Sequence, residues 1–173
     1  MSSVVVLAGG TGGAKLARGM LDVVGADLVV VAPATADLGL AAVGLTPGRS
    51  VPVDDTMQVQ GVDGRWLYAA GDVNGRVLLT HQGKYQGRAV GSLIAARASG
   101  AAEDIAAWGR HVATADTAAV PQVVFTDPEV AAVGLTEEQA RATGAPVRCV
   151  EYELGNVSGA ALHAEGYQGR AKL

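Results

Sequence analysis

The sequence is poor in the groups that serve the commonest partners and cofactors. It has one cysteine, Cys149, in 173 residues, so no internal disulfide can form and a cysteine-based zinc site lacks ligands. In the strand-like run 147–150 that cysteine reads as a half-buried apolar residue. Aromatics are 4% of the chain, and Lys plus Arg number 13 against 17 Asp plus Glu. With no basic stripe and no interleaving of basic and aromatic residues, nucleic acid is not an expected partner. The longest apolar runs, such as residues 28–33, are far too short to span a bilayer. The start MSSVVVLAGG lacks the basic first residues and extended apolar core of a signal peptide. The expected compartment is therefore the cytoplasm, with no membrane partner. His81, His111 and His163 are far apart with no metal spacing; each reads as surface or core, and no metal site is expected.

What the chain does have is apolar content of 49% and 24 glycines, which suits an α/β protein of one good core or two small domains. Residues 4–8 read as a strand, GGTGG as a glycine turn, 14–24 as a helix and 28–31 as a second strand, one β-α-β unit. An anion such as a phosphate can sit on the N–H groups of Gly10, Gly12 and Gly13, with Lys15 or Arg18 nearby. A turn kept only for strand–helix packing accounts for the same glycines. The pattern departs from G-x-G-x-x-G, and no acid follows the second strand to take a ribose.

The chain is organised around residues 66–97. Trp66-Leu67-Tyr68-Ala69-Ala70 has the length and composition of a buried parallel strand. Gly71-Asp72 ends it, and Asn74-Gly75 punctuates the loop that follows. From about Leu78 the period becomes helical, with apolar Leu79, Ala89, Val90, Leu93 and Ile94 and a small-residue face at Gly83, Gly87 and Gly91. Each such glycine costs a helix roughly 1 kcal/mol against alanine, so a strand or a flat ligand is expected close to that face. Read alone, Asp72 is a loop aspartate capping a helix N-terminus. A carboxylate at the carboxyl end of a strand can equally hold ligand hydroxyls, while the helix N-terminus favours negative charge.

These residues carry a resemblance. The run from Ala70-Gly71-Asp72-Val73-Asn74-Gly75 through Leu78-Leu79-Thr80-His81-Gln82-Gly83-Lys84-Tyr85-Gln86 resembles the second FAD-contacting motif of the pyridine nucleotide-disulfide oxidoreductases, the family of dihydrolipoamide dehydrogenase and mercuric reductase. The likeness continues through VPQVVFTDPEVAAVGLTEEQA, similar to the start of the family's dimerisation domain, and through the C-terminal GAALHAEGYQGRAKL. It covers about Pro33 to Leu173. It implies that Asp72, beside Gly71, contacts the FAD ribityl chain, and that the backbone at Leu79, Thr80 and His81 lies near the flavin pyrimidine edge. NAD(P)H as electron donor and a homodimer follow from the resemblance only. The implied fold is α/β, a Rossmann-like parallel sheet from part of an FAD domain, then an incomplete α+β dimerisation domain. The expected division is 1–31, 32–112 and 113–173.

Residues 1–31 resemble something else, the N-terminus of the 2-phospho-L-lactate transferase family. That family's next motif, Asn-Thr-Gly-Asp-Asp, is absent, and Ala32-Pro33-Ala34-Thr35-Ala36-Asp37 stands in its place. Two resemblances thus meet between Val31 and Asp37. On the flavoprotein side, the amino-terminal FAD unit, the redox cysteine pair, the nicotinamide domain and the His-Glu acid/base pair have no counterpart in the sequence. Dithiol–disulfide exchange needs a thiolate to attack and a second sulfur to resolve, which Cys149 alone cannot supply. The leading reading is a flavoprotein disulfide oxidoreductase chain, incomplete and inactive in that reaction as written, with no catalytic residue assigned and FAD weakly held or absent. The alternatives are phosphate-ligand binding by residues 1–31 and a non-enzymatic fusion or fragment.

The remaining segments read more plainly. Residues 98–119 are Ala-rich and suggest a helix within a linker that Trp108 anchors. Residues 123–125 and 130–133 read as strands around Thr126-Asp127-Pro128. Thr136-Glu137-Glu138-Gln139 is a capping box opening a helix that should end at Gly144. Residues 147–152 and 170–173 read as further strands.

Overall fold

The computed structural model describes residues 4–8, 28–31 and 38–173. The chain divides into two compact units, Met1–Thr117 and Ala118–Leu173. In the first, β1 (Val4–Ala8), β2 (Leu28–Val31) and β3 (Leu67–Ala70) form a sheet in the order β2-β1-β3. Both pairings are parallel, and β1 lies beside β3 from Val5↔Leu67 to Ala8↔Ala70. The expected helix at 14–24 and the meeting point at 31–37 fall outside the described residues, apart from Val31.

All four residues of β3 are buried, as a strand covered on both faces requires. Their alternation assigns the two faces. Tyr68 and Ala70 join Met57, Val90, Leu93, Ile94 and Ala113 in one cluster. Leu67 and Ala69 join Leu40, Val51, Val59 and Val73 in the other. The segment around Met57 runs along β3: Ala69 N–H donates to Met57 O and Val59 N–H to Leu67 O, both at 3.0 Å. Asp54 Oδ1 holds that segment in a tight turn by accepting from the N–H groups of Thr56 and Gln58.

A 3-10 turn, Asp72–Asn74, leaves β3, and α1 (Thr80–Ser99) follows. α1 packs Val90, Leu93 and Ile94 against the Tyr68 face. It stops at Gly100, whose φ of 69° lets its N–H turn back onto the carbonyls of Ala96 and Arg97. The helix expected across 98–119 is therefore not there. Asp104 and His111 instead close a loop, with Asp104 N–H donating to His111 Nδ1 at 2.8 Å and His111 N–H to Asp104 O at 3.0 Å. Only one helical turn, α2 (Ala115–Ala118), follows. Trp108 does not anchor this segment. It is 63% exposed, whereas His111 is 4% exposed and fills that role.

In the second unit β4 (Gln122–Val124) pairs antiparallel with β5 (Val130–Ala132). Thr136 and Gln139 form the expected capping box at the start of α3 (Glu137–Ala142). Gly144 lies just beyond the Thr143 cap with φ of 77°. The strand expected at 147–152 begins later, as β6 (Glu151–Glu153), paired antiparallel with β7 (Arg170–Lys172). A helix that the sequence reading lacks, α4 (Ser158–His163), lies between them. Its six residues bury only Ala160, so it carries no apolar period from which to read it.

Candidate functional site

β3 ends level with Ala8 of the central strand, and in parallel sheets ligands gather beyond the carboxyl ends of the strands. Gly71 and Asp72 stand there. Gly71 has φ 84° and ψ −156°, a region open essentially to glycine alone. The residue is buried, and its N–H donates to Gln86 Oε1 of α1 at 2.7 Å. Asp72 is exposed, and its carboxylate makes no hydrogen bond or ion pair with any described residue. The local reading of Asp72 as a cap is not realised, because no side-chain cap bond is formed at either the 3-10 turn or α1.

α1 comes up to this turn from the other side. A Cβ placed on Gly83 would lie 3.3 Å from the Gly71 Cα, so the glycine face of the helix meets backbone at that point. Leu79 is the N-cap, with extended backbone and no capping side chain. Thr80 and His81 open the helix and are exposed, as is Lys84. Gly71, Asp72, Leu79, Thr80 and His81 thus lie on the two chain segments joined by the Gly71–Gln86 and Gly71–Gly83 contacts. Gly10, Gly12 and Gly13 lie outside the described residues.

Beneath the turn is a buried polar network that inspection of the sequence missed. Gln86 Oε1 also accepts from Asn74 Nδ2 at 2.8 Å, and Asn74 Nδ2 reaches Ala69 O at 3.1 Å. Gln86 Nε2 donates to Asp116 Oδ2 at 2.8 Å, and Gln82 Nε2 to Asp116 Oδ1 at 3.0 Å. Arg76 Nε lies 3.1 Å from Asp116 Oδ2, and the same guanidinium pairs with Asp55 at 2.7 Å. Burial pushes the Asp116 carboxyl above its ordinary value, against the Gln86 hydrogen bond, the Arg76 charge and the Gln82 hydrogen bond. The available signal was the pair Gln82 and Gln86, one turn apart in line with the apolar Ala89, Val90 and Leu93. Among the described residues no three His, Cys, Asp or Glu side chains are grouped to hold a metal. Cys149 is half-buried beside Glu137, and burial raises its thiol pKa. No described helix is long and apolar enough to cross a membrane.

Residues 120–173 match the family described as pyridine nucleotide-disulphide oxidoreductase, dimerisation domain. A dihydrolipoyl dehydrogenase from Geobacillus stearothermophilus is 31% identical over 163 residues, 91% of this chain and 31% of that protein. One from Synechocystis sp. is 35% identical over 133 residues, 72% of this chain and 25% of that protein. The solved structure of LpdA from Mycobacterium tuberculosis is 26% identical, with a TM-score of 0.58 over 84% of this chain and 29% of its own. The chain thus spans about a third or less of the curated relatives it matches. The Geobacillus alignment is too long to stop at Pro33 and reaches into residues 1–31. The transferase likeness of residues 1–31 finds no support in these comparisons. The chain is a homologue of dihydrolipoyl dehydrogenases and flavoprotein disulfide reductases, and its residues 120–173 match the dimerisation domain of the pyridine nucleotide-disulphide oxidoreductases.

Proposed function

We propose that Gly71, Asp72 and the first turn of α1 form the flavin-side half of an FAD site in an NAD(P)H-dependent disulfide oxidoreductase. The observation that carries this reading is the Asp72 carboxylate, exposed and without a partner among the described residues, on a 3-10 turn at the carboxyl end of a parallel strand. An aspartate so placed can accept hydrogen bonds from the ribityl hydroxyls of FAD. The backbone at Leu79, Thr80 and His81 would face the flavin pyrimidine edge, where the helix dipole favours negative charge. Gly83, where a Cβ would lie 3.3 Å from the Gly71 Cα, lets the first turn of α1 pack directly against the Gly71–Asp72 turn. When bound, FAD supplies the redox centre that accepts a hydride from NAD(P)H and passes electrons to a disulfide. Within these 173 residues Cys149 is the sole cysteine, so the dithiol step is not assigned to any residue here. Gly10, Gly12 and Gly13 are proposed for the phosphate side. Pairing of two copies through residues 120–173 and a cytoplasmic location complete the proposal.

Titration with FAD, followed by quenching of flavin fluorescence, tests it on the parent chain and on Asp72→Ala. Loss of a charge-assisted hydrogen bond costs roughly 1.5–3 kcal/mol, about ten- to a hundredfold in affinity. The parent is expected to bind weakly, because no acid follows the second strand to take the adenine-side ribose. Stoichiometric flavin retained through purification would contradict the half-site, and equal affinity in Asp72→Ala would remove Asp72 from it.

A further inference from the structure

Asp116 is the only buried acidic residue among the described residues, and its side chain is fully enclosed. The donors around it dictate how the network must be oriented. Gly71 N–H can only donate, so the Gln86 atom 2.7 Å away is the amide oxygen. The Gln86 amide nitrogen therefore faces Asp116. Gln82 Nε2 and Arg76 Nε complete a set of three donors on the two carboxylate oxygens. An ionised carboxylate, which accepts and does not donate, meets all three, whereas the neutral acid would bring an O–H donor of its own among them. Burial opposes that charge and raises the pKa. The folded chain therefore holds the Asp116 proton more tightly than the unfolded chain does. Stability falls as pH rises from the unfolded pKa through the folded one, so the ionised group is no stabiliser at neutral pH. It is instead a specific means of orienting Gln86.

We infer that Asp116 is a positioning residue for the Gly71–Asp72 turn, acting through the Gln86 amide, which it forces to present its oxygen to the Gly71 N–H. For the ligand this rests on the FAD reading above; for the turn it rests on the hydrogen bonds alone. Asp116→Asn keeps the shape but offers one acceptor where three donors converge, and its own NH2 must meet one of them. Gln86→Glu alone sets two carboxylates face to face. Gln86→Glu combined with Asp116→Asn restores a bond by reversing its polarity. The carboxylate introduced at position 86 then accepts from Gly71, from Asn74 and from the amide introduced at position 116, at unchanged net charge.

Amide hydrogen exchange measured by NMR on the parent, the two single variants and the double variant decides this without any ligand. Exchange at Gly71 should quicken about tenfold or more in each single variant, while the Val90 and Leu93 amides of α1 stay near parental rates. The double variant should recover part of the protection, because the NH2 that then faces position 86 stands where Asp116 Oδ2 also met Arg76 Nε, 3.1 Å away in the parent. Unchanged protection of Gly71 in Asp116→Asn would overturn the inference. So would a loss shared equally with Val90 and Leu93, or a double variant no better than the singles. If the single variants do not fold, a folded double variant is the recovery, and an unfolded one overturns the inference. FAD titration of the same four proteins should show the same order of affinities. A parent that binds no FAD would refute the flavin reading and leave the exchange result to decide the role of Asp116.

Discussion

Gly71→Ala puts the geometry of the turn directly at risk. With φ 84° and ψ −156°, Gly71 occupies backbone space that a Cβ makes unfavourable by on the order of 1–3 kcal/mol. The substitution also removes freedom from the unfolded chain, an offset of about 0.4–1 kcal/mol. If the turn relaxes to relieve strain, the buried Gly71 N–H leaves Gln86 Oε1, 2.7 Å away. A buried donor left unpaired costs about 1–3 kcal/mol, so relaxation offers little escape. The net expectation is a loss of about 1–2 kcal/mol, a fall in the melting temperature of roughly 3–8 °C for a domain of this size. Differential scanning calorimetry of the parent and of Gly71→Ala measures it. Gly100→Ala is a useful companion, because Gly100 also has positive φ, 69°, but a Cβ there meets nothing within 4 Å. A melting temperature unchanged in Gly71→Ala would refute the assigned backbone and with it the placing of Asp72.

Two further outcomes test other parts of the structure. Leu93, fully buried against Tyr68 and Met57, should cost about 2–5 kcal/mol on truncation to Ala, read by urea unfolding, and a loss under about 1 kcal/mol would mean that α1 does not pack on β3 as described. Lys172, then Arg141 and Cys149, hold the Glu137 carboxyl down at about 2. Its contribution to stability should be present above the ordinary glutamate value and be lost as pH falls toward 2. NMR titration of the side chain should show that low midpoint, rising in Lys172→Ala, and an ordinary glutamate midpoint in the parent would dismiss the pairing.

What could be read from the sequence was local. The buried strand at 67–70 is visible because four apolar residues run together and glycine and aspartate end them. The capping box needs only Thr136 and Gln139, three residues apart, and both of its bonds are formed. Gly100 was harder, since an Ala-rich stretch continues past it and only the positive φ makes it a stop. The Asp104–His111 closure and the buried Asp116 depend on partners seven to thirty-four residues away. Gln82 and Gln86 look like ordinary polar positions until Asp116 is seen to cover them. The same distance effect explains Trp108, a large apolar residue that the fold leaves outside. For the site, the motif drew attention to Asp72 and Gly71, but the residues that hold them in place had no motif of their own.

Gly71, Asp72 and the start of α1 are the part of the fold proposed to meet a flavin. Amide chemical-shift mapping by NMR, with FAD raised to millimolar concentration, tests that most directly and registers weak binding. The perturbed amides should centre on residues 71–73 and 79–83, and the perturbation should be much reduced in Asp72→Ala. No perturbation at saturating FAD, or shifts that avoid both segments, would contradict it.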